Sequence, residues 1–336
     1  VFSFPLYCLH LAQNAKEGAT MPGFNLPYQP IRQQLYKPAE LFQGFQSSEP
    51  ASWGETLDFA IYRHFVLEGR STPTNPYSGM MQALHDNSIT QSTAAFIDGR
   101  RVAAIMGDHK MARDSAAYRN VATLARRLTR TGILMCTGGG PGAMEASHLG
   151  ASLAGGPDSD LDNALALMKT QPVVPALGDI VNPKGVVDSA LVAQAHTWFK
   201  PAYEIAASIS TPSESLAVPT WQYGYEPTTP LATHIAKYFQ NSIREDGLLA
   251  LAKQGIVYSQ GKAGTIQEIF QDGAQNYYKT FGFFSPMVLF GVQYWTTAYP
   301  VVGVLQKLFT PADFAKYVLV TDDVGAAARF IEQFVP

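Results

Sequence analysis

The stretch Cys136-Thr137-Gly138-Gly139-Gly140-Pro141-Gly142-Ala143-Met144-Glu145-Ala146 decides the fold. An apolar run at 133–136 enters three glycines, and a helical segment at 141–153 leaves them. Glycine lets a backbone approach a ligand closely, and a proline in the first helical turn loses no needed N–H. Strand, tight turn and helix form the repeating unit of a parallel α/β sheet. The free N–H groups at such a helix start make an anion site. A tight turn without a ligand uses glycine in the same way, so this stretch alone leaves both readings open.

A complete strand–helix unit precedes it. Residues 102–106 are a short apolar run ending at Gly107, and 115–130 carry Ala117, Val121, Leu124, Ala125 and Leu128 on one helical face, closed by Gly132. Later strands are expected at 173–177, 215–218, 255–258, 287–290 and 317–320. Helices are expected at 192–207 and 265–278, and at 323–334 to close the chain. The alternation implies right-handed crossovers and an α/β, Rossmann-like, doubly wound parallel sheet over residues 95–336, with an insertion at about 156–212. Residues 1–94 are rich in Pro, Gln, Ser and Gly and show one amphipathic helix near 56–68, so they are expected to form an N-terminal accessory or oligomerisation segment.

A second turn has the same form: Ser259-Gln260-Gly261-Lys262-Ala263-Gly264-Thr265-Ile266-Gln267-Glu268 follows an apolar strand and opens a helix. Thr265 offers a hydroxyl beside the first free N–H groups, and Lys262 adds a positive charge. It is not a Walker loop, because Gly-Lys is followed by Ala and the upstream glycine is missing. Glu268 lies one turn into the helix, where a carboxylate also favours the helix dipole. In a doubly wound sheet, ligands bind at the carboxyl ends of the strands, where two such turns can meet. Gly138, Gly140 and Ala143 also satisfy a dinucleotide fingerprint. That fingerprint normally follows the first strand and is answered by an acid ending the second. Here the only acids at that distance, Asp158, Asp160 and Asp162, are expected in a loop, as a solvated turn or a helix start. They do not make a calcium loop either, since its turn glycine and terminal Glu are missing.

Residues 136–146 resemble the G-G-G-P-G-x-M-E-A segment of the Lonely Guy-type phosphoribohydrolases, formerly called lysine decarboxylase-like. The likeness is to the larger bacterial nucleotide 5′-monophosphate nucleosidases in particular. Residues 260–268 occupy the place of that family's P-G-G-x-G-T-x-x-E motif, and Glu226-Pro227-Thr228-Thr229-Pro230-Leu231 resembles its E-P-x-x-P-L segment. The resemblance implies hydrolysis of the N-glycosidic bond of a nucleoside 5′-monophosphate to free base and ribose 5-phosphate, with no metal or redox cofactor. It places the substrate phosphate on Gly261, Gly264 and Thr265, where Lys262 would add a point charge, with Gly138, Gly139, Gly140 and Gly142 as the facing turn. It gives catalytic roles to Glu268 and, as nearest counterpart of the family's arginine, to Arg244. It also implies a homodimer or larger homo-oligomer. Two positions depart from the family: its proline is Gln260, and its second glycine is Lys262. A lysine at positive φ costs on the order of 1 kcal/mol or forces a different turn. A nucleotide-binding or sensing protein of the same fold, without catalysis, is the alternative.

The chain has 336 residues, of which 46% are hydrophobic and 15% charged, with a formal net charge of −3. It can bury a full core without disulfides, and its balance gives no electrostatic footing for nucleic acid. Arg126, Arg127 and Arg130 form the densest basic cluster and are expected on a solvated helix face. Of the two cysteines, Cys8 and Cys136, the second ends an apolar run and is expected to act as a small buried hydrophobe. No apolar stretch reaches the length of a membrane span. Residues 1–7 lack the basic leader of a signal peptide, so a cytoplasmic location is expected. His109 follows the first strand near the expected ligand edge, as a base or ribose contact or a loop residue without a role. His148 and His234 are expected on helices, as packing or surface residues. No metal-ligand spacing occurs.

Overall fold

Val102–Met106 forms β1, and all five of its residues are buried. Its alternate side chains enter two different cores, as those of a strand covered on both faces must. Val102, Ala104 and Met106 face one core, and Ala103 and Ile105 the other. This is the central strand of a seven-stranded parallel sheet in the computed structural model, which describes residues 26–222 and 225–335. Cys8 and residues 1–7 lie outside the described part.

The remaining strands are β2 (Leu134–Thr137), β3 (Ser215–Ala217), β4 (His234–Ile235), β5 (Gly255–Tyr258), β6 (Met287–Phe290) and β7 (Val318–Thr321). Their order is β4-β3-β2-β1-β5-β6-β7. The chain winds outward from β1 to β4, returns to the other side of β1, and winds outward again to β7. The protein is therefore an α/β, Rossmann-like, doubly wound fold. The direction of winding reverses between β1 and β5, which is the switch point where such sheets leave a crevice.

Helices Ala116–Arg130, Ala143–Ser152 and Val324–Glu332 cover one face. Ser115 caps the first of them by accepting from the Tyr118 N–H. On the opposite face, strand side chains share a core with Trp53, Phe59, Phe65 and Phe199. Helices Leu57–Leu67 and Pro76–Ile97 therefore contribute to the same core as the sheet. Tyr36 exchanges both backbone hydrogen bonds with Ile235, closing the β4 edge.

Several expectations need correction. The apolar run at 173–177 is not a strand: Pro172 and Pro175 remove ladder donors, and Val173 is 70% exposed. His234 lies on β4 and not on a helix. Arg126 is not solvated. Its guanidinium is buried against the carbonyls of Leu153, Gly156 and Pro157 and the Asp158 carboxylate, while Arg127 and Arg130 do reach solvent. A 22-residue helix, Pro76–Ile97, occurs in the accessory segment where no element was expected beyond the one near 56–68. The acidic stretch at 158–162, by contrast, opens the helix Asp158–Met168, in keeping with the expected turn or helix start.

Candidate functional site

A cleft of about 510 Å³ opens at the carboxyl ends of β1, β2 and β5. Gly107, Asp108, His109 and Lys110 follow β1 and lie between the two glycine turns. Asp108 ties them together: its N–H donates to the Gln260 carbonyl at 2.9 Å, and its carbonyl accepts from the Ala143 N–H at 3.2 Å. A Cβ at Gly107 would stand 2.8 Å from Ala143 Cβ and 3.1 Å from Ser259 Cβ, so the two turns meet across this residue with no room for a side chain. The first N–H of helix Ala143–Ser152 is thus already used by protein.

That changes the role of the first turn. Gly138 lines the cleft, whereas Gly139, Gly140 and Gly142 pack against protein. Gly139 and Gly142 adopt φ of 72° and 68°, which only glycine does without strain. Gly142 lies against the Asp108 carbonyl, Gly139 against Ala217 and Pro219, and Gly140 against Met144 and the Glu226 carboxylate. The motif's Glu145 is buried too. It takes a two-pronged ion pair from Arg113 at 2.6 and 2.8 Å and a hydrogen bond from Tyr118 OH at 2.9 Å, which fixes the chain between β1 and its helix.

The second turn presents its helix to the cleft. Helix Ala263–Tyr277 has no side-chain cap, and Lys262, Ala263, Gly264 and Thr265 line the opening. The first N–H groups of a helix have no intrahelical partner, and with the dipole they favour an anion. A Cβ at Gly264 would meet nothing within 4 Å, so this cleft-lining residue borders open space. Gly261 packs against the Thr265 side chain, and its carbonyl accepts from Tyr294 OH at 2.6 Å. Lys262 has φ −110°, so the turn takes another shape and stores no left-handed strain.

Glu268, Glu226 and Arg244 converge on the same cleft. Burial raises the Glu268 carboxyl from 4.5 to about 7; Arg244 opposes that rise and Glu245 adds to it. Burial also raises Glu226, against the pull of His109, Arg244 and Lys237. Arg244 donates from Nε to the Val218 carbonyl at 3.0 Å, and its guanidinium lies across Gly138, where a side chain would collide with it. Glu226 is held through its neighbours. Asp58 accepts from Trp221 Nε1 at 3.2 Å and Tyr225 OH at 3.1 Å, while Lys237 donates to Thr228 Oγ1 at 2.8 Å.

His109 lines the cleft beside Asp108. His148 is a packing residue, bonded to Thr137 Oγ1 at 2.8 Å and Ser215 Oγ at 2.9 Å and kept neutral by burial, with its pKa lowered to about 3. Cys136 is free and buried, and burial pushes its thiol up. Among the described residues, no cluster of His, Cys, Asp and Glu is arranged to hold a metal. Also among them, no helix is long and apolar enough to cross a membrane. Glu226, Asp108, Lys110 and Gln267 also line the cleft, and the sequence alone assigns none of them a role. The carboxyl-end position after β1 was the available signal for Asp108 and Lys110.

No protein-family profile matches the sequence, and comparison with curated proteins finds no significant match. Among solved structures, the molybdenum cofactor carrier protein of Chlamydomonas reinhardtii is similar at a TM-score of 0.41 and 16% identity, over 70% of this chain and 97% of that one. The fold assignment rests on the strand order.

Proposed function

We propose that the protein hydrolyses the N-glycosidic bond of a nucleoside 5′-monophosphate. One observation carries the reading: two carboxyls of raised pKa and one guanidinium face a cleft bordered by an uncapped helix start. The 5′-phosphate sits on the N–H groups at 263–265 with the Thr265 hydroxyl, and Lys262 adds charge at the rim. Arg244 offsets the negative charge gathered in the cleft. Glu268 in its ionised form stabilises the positive charge that develops on the ribose ring and takes a proton from the attacking water. The water oxygen bonds to C1′ and the C1′–N bond breaks, its electron pair leaving with the base. Burial favours the protonated form of Glu226, which suits it to donate a proton to that nitrogen. The products are free base and ribose 5-phosphate.

The full-length protein, incubated with AMP, GMP, IMP, CMP and UMP and analysed for free base, tests this. Release from at least one, with equimolar ribose 5-phosphate, is the expected result. Phosphate-dependent thermal stabilisation without any base release would instead identify a non-catalytic nucleotide-binding protein. Lys262 in place of the family's glycine favours that second reading.

A further inference from the structure

Helix Asn241–Leu251 brings Arg244 to the cleft, yet its N-cap residue Gln240 makes no side-chain cap. Its start is held by a residue 154 positions earlier in the sequence. Asp86, fully buried on helix Pro76–Ile97, accepts from the Phe239 N–H through Oδ1 and from the Gln240 N–H through Oδ2, each at 2.9 Å. The Gln240 side chain donates to the Ser71 carbonyl at 3.0 Å, a second tie to the same region. The Asp86 carboxylate is itself oriented: His85 Nδ1 lies 3.1 Å from Oδ1, and His85 Nε2 bonds Tyr36 OH at 2.8 Å. Tyr36 in turn is paired through its backbone to β4.

Arg244 stands one turn beyond the pinned residue, its N–H directed at the Gln240 carbonyl at 3.4 Å. The guanidinium then has two constraints, the Val218 carbonyl and the surface of Gly138. A shift of the helix start would carry the long side chain out of this narrow slot. A carboxylate taking two adjacent N–H groups fixes both the position and the rotation of that start, and it also favours the positive end of the dipole.

We infer that Asp86 is a positioning residue that sets Arg244 in the cleft, and that the helix Pro76–Ile97 is therefore part of the site's frame. The inference rests on the proposed site for what Arg244 does there, but its test requires no turnover. In full-length protein labelled with ¹³C at glutamate carboxyls, Glu268 is assigned through Glu268→Gln and titrated. Arg244→Ala should raise its midpoint by on the order of one pH unit, because a nearby cation is lost. Asp86→Asn should raise it too, and the double variant should rise no further than Arg244→Ala alone. A purely structural Asp86 would lower thermal stability equally in both backgrounds and leave the Glu268 midpoint where it was. An unchanged midpoint in Asp86→Asn, or a rise that persists without Arg244, overturns the inference. So does Arg244→Ala leaving the midpoint unmoved. Should Asp86→Asn fail to fold, Asp86→Ser keeps one oxygen acceptor and allows the same comparison. Absence of nucleosidase activity would leave these outcomes readable.

Discussion

The Lys237 ammonium lies 2.6 Å from Asp58 Oδ1, and both side chains are buried. The pair joins helix Leu57–Leu67 to the chain just after β4, at a separation of 179 residues. Asp58 also accepts from Trp221 and Tyr225, and Lys237 donates to Thr228 and lies 4.9 Å from the Trp221 ring centre. Trp221, Tyr225 and Thr228 flank Glu226 in the chain, so this buried pair anchors the segment that carries Glu226 to the cleft.

Removing one member of such a pair leaves an uncompensated charge in the interior. Lys237→Met should cost about 3–5 kcal/mol in urea unfolding, and the double variant Lys237→Met with Asp58→Asn should cost less than the sum of the two singles. Additive losses would mean that the two groups do not act as a pair.

Six of the seven strands were legible because their side chains carry a simple signal, whereas the two-residue β4 (His234–Ile235) carries none. The runs at 102–106, 255–258 and 287–290 are continuously apolar, and each became a strand with those bounds, buried along its length. Helix Pro76–Ile97 hides its signal by inversion. Tyr77, Met80 and Leu84 are exposed, while Gln82, His85, Asp86 and Ser88 are buried, so no apolar face marks it. The glycine turns could be located from sequence, but their division of labour could not, because it depends on Asp108 reaching both turns. The same holds for the frame behind the cleft. Asp58 and Asp86 look like ordinary polar residues, and the groups they hold in this frame, Lys237 and the Phe239 N–H, lie more than 150 positions away.

Activity should follow the ionisation of Glu268. Its carboxyl is raised to about 7 and the proposed reaction uses the ionised form, so kcat/KM should fall as pH drops through 7 and approach a tenfold loss per pH unit below about 6. Glu268→Gln should reduce turnover by roughly 10²–10⁴ while leaving phosphate-dependent thermal stabilisation in place. A variant that keeps wild-type turnover would remove Glu268 from the mechanism.

Asp272 should oppose stability as pH rises. It is fully buried, accepts from Tyr258 OH at 2.8 Å, and is raised by burial from 3.8 to about 7. The folded chain therefore binds a proton that the unfolded chain has released. The associated stability is complete below about 4 and is lost as pH rises through about 7. Asp272→Asn stays neutral and keeps an acceptor for Tyr258. It should match the wild type near pH 4 and exceed it at pH 8 by on the order of 2–4 kcal/mol. His148, with its pKa lowered to about 3, contributes the opposite trend below its unfolded value in both proteins, so the difference between them isolates Asp272. Chemical denaturation at a series of pH values measures it; a difference that does not change with pH would contradict the assignment.

Gly264 offers the most direct test of the proposed phosphate position. It lies in the first turn of helix Ala263–Tyr277, it is not among the residues of positive φ, and an added Cβ would touch nothing within 4 Å. On stability grounds alone, alanine should be tolerated or favoured there by about 0.4–1 kcal/mol, because it restricts the unfolded chain. Gly142→Ala is the opposite case: φ is 68° and the new methyl group would collide with the Asp108 backbone, so a clear loss of stability is expected. A phosphate held on the N–H groups at 263–265 must come within hydrogen-bond distance of this surface, and a methyl group there stands in its path. Gly264→Ala should therefore retain or raise the melting temperature in buffer and lose most of the further rise produced by ribose 5-phosphate. A variant that responds to ribose 5-phosphate as the wild type does would place the anion away from this helix start.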